Sequence, residues 1–138
     1  MTGDKLSKAE YTILVVDDVD IMHMVLRQML GMLGFSKIIS ALDGRRAQQI
    51  IQTEKIDLII SDWTMPEMNG IALLNFVKGN ANWAHIPFIM VTSDMAKDSI
   101  LVAKKAGVDD YIIKPFSAAT LETKITRALK LNRQPPGK

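Results

Sequence analysis

Ile59-Ile60-Ser61-Asp62-Trp63-Thr64-Met65-Pro66 is the stretch on which the fold turns. An apolar run stops abruptly at a carboxylate, and a proline-bearing loop follows. Two other runs end in the same manner: Ile13-Leu14-Val15-Val16 before Asp17-Asp18, and Tyr111-Ile112-Ile113 before Lys114-Pro115. Residues 11–16 are short and rich in β-branched side chains, the mark of a strand buried on both faces.

Strands are expected at 11–16, 37–40, 56–61, 86–91 and 111–113. Between them the apolar spacing turns helical. Met22, Val25, Leu26, Met29 and Leu33 repeat on one face, and Gly34 stands where a helix stops. Asp17 to Asp20 are placed to cap that helix. Asp43-Gly44 carries a hairpin signal, but Ala47, Ile50 and Ile51 behind it form a helical face. Ile71, Leu74 and Val77 mark a third helix, and residues 97–106 a fourth that stops at Gly107. Ser117 can cap a fifth, with Leu121, Ile125 and Leu129 on one face. Five strands alternating with five helices predict an α/β fold, a parallel sheet covered on both sides.

The totals narrow the function classes. A chain of 138 residues suits one domain, and one this size buries roughly 70% of its unfolded surface, enough for an unstapled core. There is no cysteine, which excludes disulfides and thiolate metal sites. No apolar run approaches the ~18 residues of a membrane span, and residues 1–10 are polar and mixed in charge, unlike a signal peptide. A cytoplasmic protein is expected. The formal charge is +2, but Lys130, Arg133 and Lys138 lie near the end with no acid among them, leaving the body near neutral. That gives no basic stripe for nucleic acid. Residues 1–10 are taken as a flexible leader, 11–131 as the domain, and 132–138, with Pro135-Pro136-Gly137, as a disordered tail.

In open parallel sheets, ligands bind outside the carboxyl ends of the strands, where strand order reverses. Asp17, Asp18, Asp62, Thr92 and Lys114 all fall at or just beyond such ends. They form a cluster if the first and third strands are neighbours. Three carboxylates so placed repel one another unless a cation neutralises them. An all-oxygen set without cysteine or a histidine pair suits a hard cation, and carboxylates with water and phosphate are how Mg2+ is held. Asp17 and Asp18 then fix the metal. Asp62 lends it one oxygen and keeps another as nucleophile toward phosphorus. The Thr92 hydroxyl and the Lys114 ammonium can meet phosphoryl oxygens.

These residues carry a resemblance. Val15-Val16-Asp17-Asp18, Ser61-Asp62-Trp63 with Met65-Pro66 and Met68-Asn69-Gly70, Met90-Val91-Thr92, and Tyr111 with Lys114-Pro115-Phe116 are together specific. Over residues 12–129, without gaps, the chain resembles a response-regulator receiver domain of the single-domain chemotaxis (CheY-like) type. The resemblance implies a flavodoxin-like, doubly wound sheet of order 2-1-3-4-5. It implies Mg2+ held by Asp17, Asp62 and the backbone carbonyl of Thr64, with Asp18 acting through water. The phosphodonor would be a histidine kinase, and a cis bond before Pro115 would help to aim Lys114. Thr92 would move toward the phosphoryl group, Tyr111 would swing inward, and the face of the fourth helix, fifth strand and fifth helix would repack. Thr64 and Asp94 flank the path of attacking water. Asp94 orients or repels that water, and the residues leave open which, and with it the lifetime of the phosphorylated state.

No output domain is expected after the last helix, so output would be binding by a monomer. A flagellar motor switch component or a relay protein would be the reader. The chain would then be a phosphoacceptor switch, not an enzyme, with at most weak self-phosphorylation and self-dephosphorylation. Two alternatives stand beside it. A Mg2+-dependent hydrolase with an aspartyl-phosphate intermediate is disfavoured, because the position two after Asp17 is Val19 and there is no room for a cap domain. A phosphorylation-independent scaffold is disfavoured by the complete set of acids, hydroxyl and lysine. His23 and His85 lack a partner at metal spacing and are taken as surface or packing residues. The helix-one methionines Met22, Met24, Met29 and Met32 could form a soft partner surface, but are taken as core filling. Trp63, beside Asp62, is either a gate and reporter or loop packing.

Overall fold

A computed structural model describes residues 7–63, 68–93 and 97–131, without the side chains of 97–99. Five strands, β1 (Thr12–Val16), β2 (Lys37–Ala41), β3 (Leu58–Asp62), β4 (Phe88–Thr92) and β5 (Asp110–Ile113), form one parallel sheet ordered β2-β1-β3-β4-β5. The connections are α1 (Asp20–Met32), α2 (Gly44–Thr53), α3 (Gly70–Lys78) and α4 (Lys97–Lys105), with α5 (Ala118–Ala128) last. The expected flavodoxin-like order is therefore the observed one, and β1 and β3 are neighbours.

Alternation along the strands builds two cores. Leu14, Val16 and Ile59 face α2 and α3, where they meet Ile51, Leu73, Leu74 and Val77. Ile13, Val15 and Ile60 face α1 and α5 and meet Leu26, Leu30, Leu121 and Ile125. Each such side chain contributes about 1.5–3 kcal/mol by leaving water. This burial exceeds any single polar contact below and fixes the register, because a one-residue slip would exchange the two faces.

Several local expectations need correction. The helix-one methionines do not fill the core: Met24 and Met32 are 69% and 74% exposed, and Met22 and Met29 are only partly buried, because the core-facing stripe of α1 is carried by Leu26 and Leu30. The N-cap of α1 is Val19, with no side-chain cap; none of Asp17, Asp18 and Asp20 occupies that position. The Asp17 carboxylate instead turns back and accepts from the Val19 amide at 2.9 Å. The leader is not irregular to residue 10, since Lys8–Glu10 form a 3-10 turn whose entry is held by the Ser7 amide donating to Glu10 Oε1 at 2.8 Å. Strands β3 and β4 each start two residues later than the apolar runs suggest. Ile56 and Ile86 are buried, yet both precede the ladder. Near Ile86, Lys78 Nζ donates to the Ala84 and Ile86 carbonyls (3.1 and 2.9 Å) and to Asp109 Oδ2 (3.0 Å). Asp109 Oδ2 also accepts from the Phe88 amide at 2.7 Å, so this staple ties the approach to β4 to the first residue of the strand. The tail beyond 131 lies outside the described residues.

Other local readings hold. Ser117 caps α5 through the Thr120 amide, and Gly34 and Gly107 take positive φ just past α1 and α4. Asp43, read in sequence only as part of a hairpin signal, caps α2 by accepting from the Arg46 amide. The Lys114-Pro115 bond is cis. Among the described residues, no helix is long and apolar enough to cross a membrane.

Candidate functional site

The strand order reverses between β1 and β3, and the carboxyl ends of β1, β3, β4 and β5 share one rim of the sheet. Register sets who stands there. Val16 pairs Ser61, so Asp17 and Asp62 come level one step on. Asp62 pairs Val91 and Thr92 pairs Ile113, which leaves Thr92 and Lys114 as the outer groups of β4 and β5. The Lys114 amide donates to the Thr92 carbonyl at 2.8 Å, extending the sheet past the last strand residue.

The side chains converge as that register requires. Asp17, Asp18 and Asp62 each place a carboxylate oxygen within 4.8 Å of the other two. Asp17 is 2% exposed. Its amide donates to the Ala41 carbonyl (3.1 Å) and its Oδ1 accepts from Val19. Asp18 is exposed, and the Asp62 side chain is 12% exposed. Lys114 Nζ comes back from β5 to lie 3.6 Å from Asp62 Oδ1 and 3.8 Å from Asp17 Oδ2. Thr92 is buried beside them at the end of β4.

Like charges about 4 Å apart repel by about 4 kcal/mol at an effective dielectric near 20. One lysine offsets only part of that for three acids. The donor set is all oxygen and converges on one point, so it fits a hard divalent cation.

The loop after Asp62 is held at both ends. The Trp63 amide donates to the Val91 carbonyl (2.9 Å), and its carbonyl accepts from the Gly70 amide (2.7 Å). The Trp63 ring is half-buried against the α2/α3 core, which favours its packing role. Thr64, Met65, Pro66 and Asp94 lie outside the described residues, so the third metal ligand and both water-access positions are not located. Tyr111 is half-buried, with Lys124 Nζ 5.3 Å from its ring centroid. Lys124 is itself held by Asp110 Oδ1 at 2.9 Å.

One site residue has no sequence signal. His23, on the second turn of α1, is buried, and its Nε2 lies 2.6 Å from the Asp17 carbonyl oxygen. No motif spacing announces a side chain bonded to a backbone group six residues upstream. His85 is exposed and far along the chain from any described acid of the site.

Comparison with known proteins agrees with this geometry. The response regulator receiver domain family matches residues 13–126. The chemotaxis protein CheY of Pseudomonas aeruginosa is 38% identical over 115 residues, which cover 83% of this chain and 93% of that protein. CheY-3 of Vibrio cholerae is 37% identical over 115 residues, covering 83% and 88%. Among solved structures, the signal receiver domain of a Syntrophus aciditrophicus histidine kinase superposes with a TM-score of 0.81 at 30% identity, covering 93% of this chain and 96% of its own. A sensor-kinase receiver domain from Pseudomonas aeruginosa superposes at 0.79 with 26% identity, covering 87% and 98%; that structure has a magnesium ion coordinated in the active site cleft.

Proposed function

The chain belongs to the response regulator receiver domain family, and from that premise we propose that Asp62 accepts a phosphoryl group and thereby switches a binding face in chemotaxis signalling. The observation that carries the reading is Asp62 itself: a carboxylate at the switch point, with two more acids within 4.8 Å and an ammonium 3.6 Å away. In the reaction, a carboxylate oxygen of Asp62 attacks the phosphorus of a histidine kinase's phosphohistidine. The O–P bond forms as the N–P bond breaks, and the departing imidazole nitrogen keeps the electron pair and takes a proton.

The residues fit a bound Mg2+. Asp17 and Asp62 would hold it directly and Asp18 through water, with the Thr64 carbonyl, outside the described residues, as a further ligand. When bound, it supplies the charge that screens phosphoryl oxygens from the carboxylates. Lys114 neutralises a phosphoryl oxygen, and the Thr92 hydroxyl donates to another. Moving Thr92 toward that group vacates space for the Tyr111 ring, and the α4-β5-α5 face repacks. Lys124, seated on the Tyr111 ring, belongs to that same face. Thr64 and Asp94 control access of hydrolytic water. The chain acts as a phosphoacceptor rather than an enzyme, with at most weak self-catalysed gain and loss of phosphate. Its readers are a flagellar motor switch component or a relay protein, as its similarity to CheY proteins supports.

Labelling by acetyl phosphate in the presence of Mg2+ tests the acceptor. Wild type is expected to take up about one phosphoryl group and Asp62→Asn essentially none. Equal labelling of the two proteins would overturn the assignment.

A further inference from the structure

We propose that His23 is a positioning residue for the cation site, fixing the peptide plane that joins Asp17 to Asp18 and so setting the affinity for a divalent cation. The proposal rests on the acid cluster being such a site, as argued above.

The starting point is a backbone group that the sheet leaves over. The β1 ladder ends at Val16, which pairs Ala41 on one side and Ser61 on the other. One residue on, the Asp17 amide still reaches the Ala41 carbonyl, but the Asp17 carbonyl lies past the last registered pair. Asp17 is 2% exposed, so water is a poor substitute, and a buried carbonyl needs a donor. His23 is 7% exposed and brings Nε2 to 2.6 Å from that oxygen. A carbonyl only accepts, so Nε2 carries the proton. In the neutral ring that tautomer leaves Nδ1 as a buried lone pair, and among the described residues Nδ1 has no hydrogen-bond partner.

An imidazole so placed is a poor choice for packing alone. An orphaned buried polar atom carries an uncompensated desolvation cost, which an apolar side chain of similar shape would avoid. What the imidazole provides instead is one aimed donor. The Asp17 carbonyl and the Asp18 amide share a rigid plane. Its orientation sets the directions in which the Asp17 and Asp18 side chains leave the backbone, and those are two of the three acids that converge within 4.8 Å. Mg2+ tolerates little departure from octahedral geometry, so a small rotation of this plane is felt in affinity. Groups one bond removed from metal ligands typically change affinity about 10–100-fold when lost.

Calorimetric titration of the full chain with MgCl2 separates positioning from simple packing. His23→Gln puts an amide donor about where Nε2 lies, while His23→Met keeps the reach without the donor. We expect His23→Met to weaken Mg2+ binding about tenfold or more and His23→Gln to restore most of it. A purely structural histidine would lower the melting temperature of both variants in EDTA and leave both Mg2+ affinities unchanged. A folded His23→Met that binds Mg2+ as wild type does overturns the positioning role alone. Wild type that binds no Mg2+ overturns the cation site and this proposal with it. Long-range 1H–15N spectra of the wild-type imidazole need no variant to fold. Protonation at Nε2 is expected, and His23 protonated only at Nδ1 would also overturn the proposal.

Discussion

Gly31 and Gly70 are both helical, yet replacing them with alanine should have opposite signs. A Cβ on Gly31 would meet nothing within 4 Å, so Gly31→Ala only removes chain entropy from the unfolded state and should stabilise by about 0.5 kcal/mol. A Cβ on Gly70 would lie 2.5 Å from the Asp62 carbonyl oxygen, 2.6 Å from Met90 Sδ and 3.0 Å from Trp63 Cα. Met90 can turn aside, but the backbone of β3 cannot, so Gly70→Ala should cost about 1–3 kcal/mol. Urea midpoints at constant m-value measure both, and two shifts of the same sign would refute the contrast. The same close approach explains what sequence could show of the site. Asp17, Asp62, Thr92 and Lys114 were legible because each closes an apolar run, and the sheet does the rest. His23 was not, because its partner is a main-chain oxygen that every residue carries. The crowding around Gly70 was equally hidden, since it comes from β3 and β4 meeting the start of α3.

Apolar spacing located the five strands and α1, α2, α3 and α5, while it misjudged where β3 and β4 begin. Burial and pairing are different properties: Ile56 and Ile86 are buried without entering the ladder, and hydropathy registers only the first. The helices also differ in a way that periodicity understates. Leu26 and Leu30 anchor α1, Leu73, Leu74 and Val77 anchor α3, and Leu121 and Ile125 anchor α5. On α4, Ala103 is buried, whereas Leu101 and Val102 are 52% and 48% exposed. Losing one alanine from the core costs far less than losing two leucines. Helix α4 should therefore open locally at the lowest free energy of the helices just named. In native-state hydrogen exchange, the amides of residues 101–105 should exchange at least about tenfold faster than those of 26–30 or 73–77, a local gap of roughly 1.4 kcal/mol. Equal protection would mean that α4 is held by contacts other than its buried side chains. A loosely held helix on the proposed output face is what a repacking switch requires, because the less stable element is the one a local charge can move.

For the whole molecule, the site is a load carried by two well-filled cores. Three carboxylates converge at one rim, and Lys114, 3.6–3.8 Å from two of them, offsets part of their repulsion. Removing one charge should therefore stabilise the fold when no divalent cation is present. In EDTA, Asp62→Asn should be more stable than wild type by about 1 kcal/mol, roughly 3–5 °C in melting temperature for a chain of this length. Added Mg2+ should reverse that order. A cation that binds only the folded chain stabilises it by about 2.7 kcal/mol at a hundred times its dissociation constant, and the variant, lacking one charged ligand, gains less. NaCl at matched ionic strength controls for screening, which weakens repulsion between exposed charges without occupying a site. Crossing melting curves in MgCl2 but not in NaCl are the expected result. A wild-type melting temperature that responds equally to both salts would mean that the acids meet without forming a divalent-cation site, and Asp62 would lose the partner on which its reactivity depends.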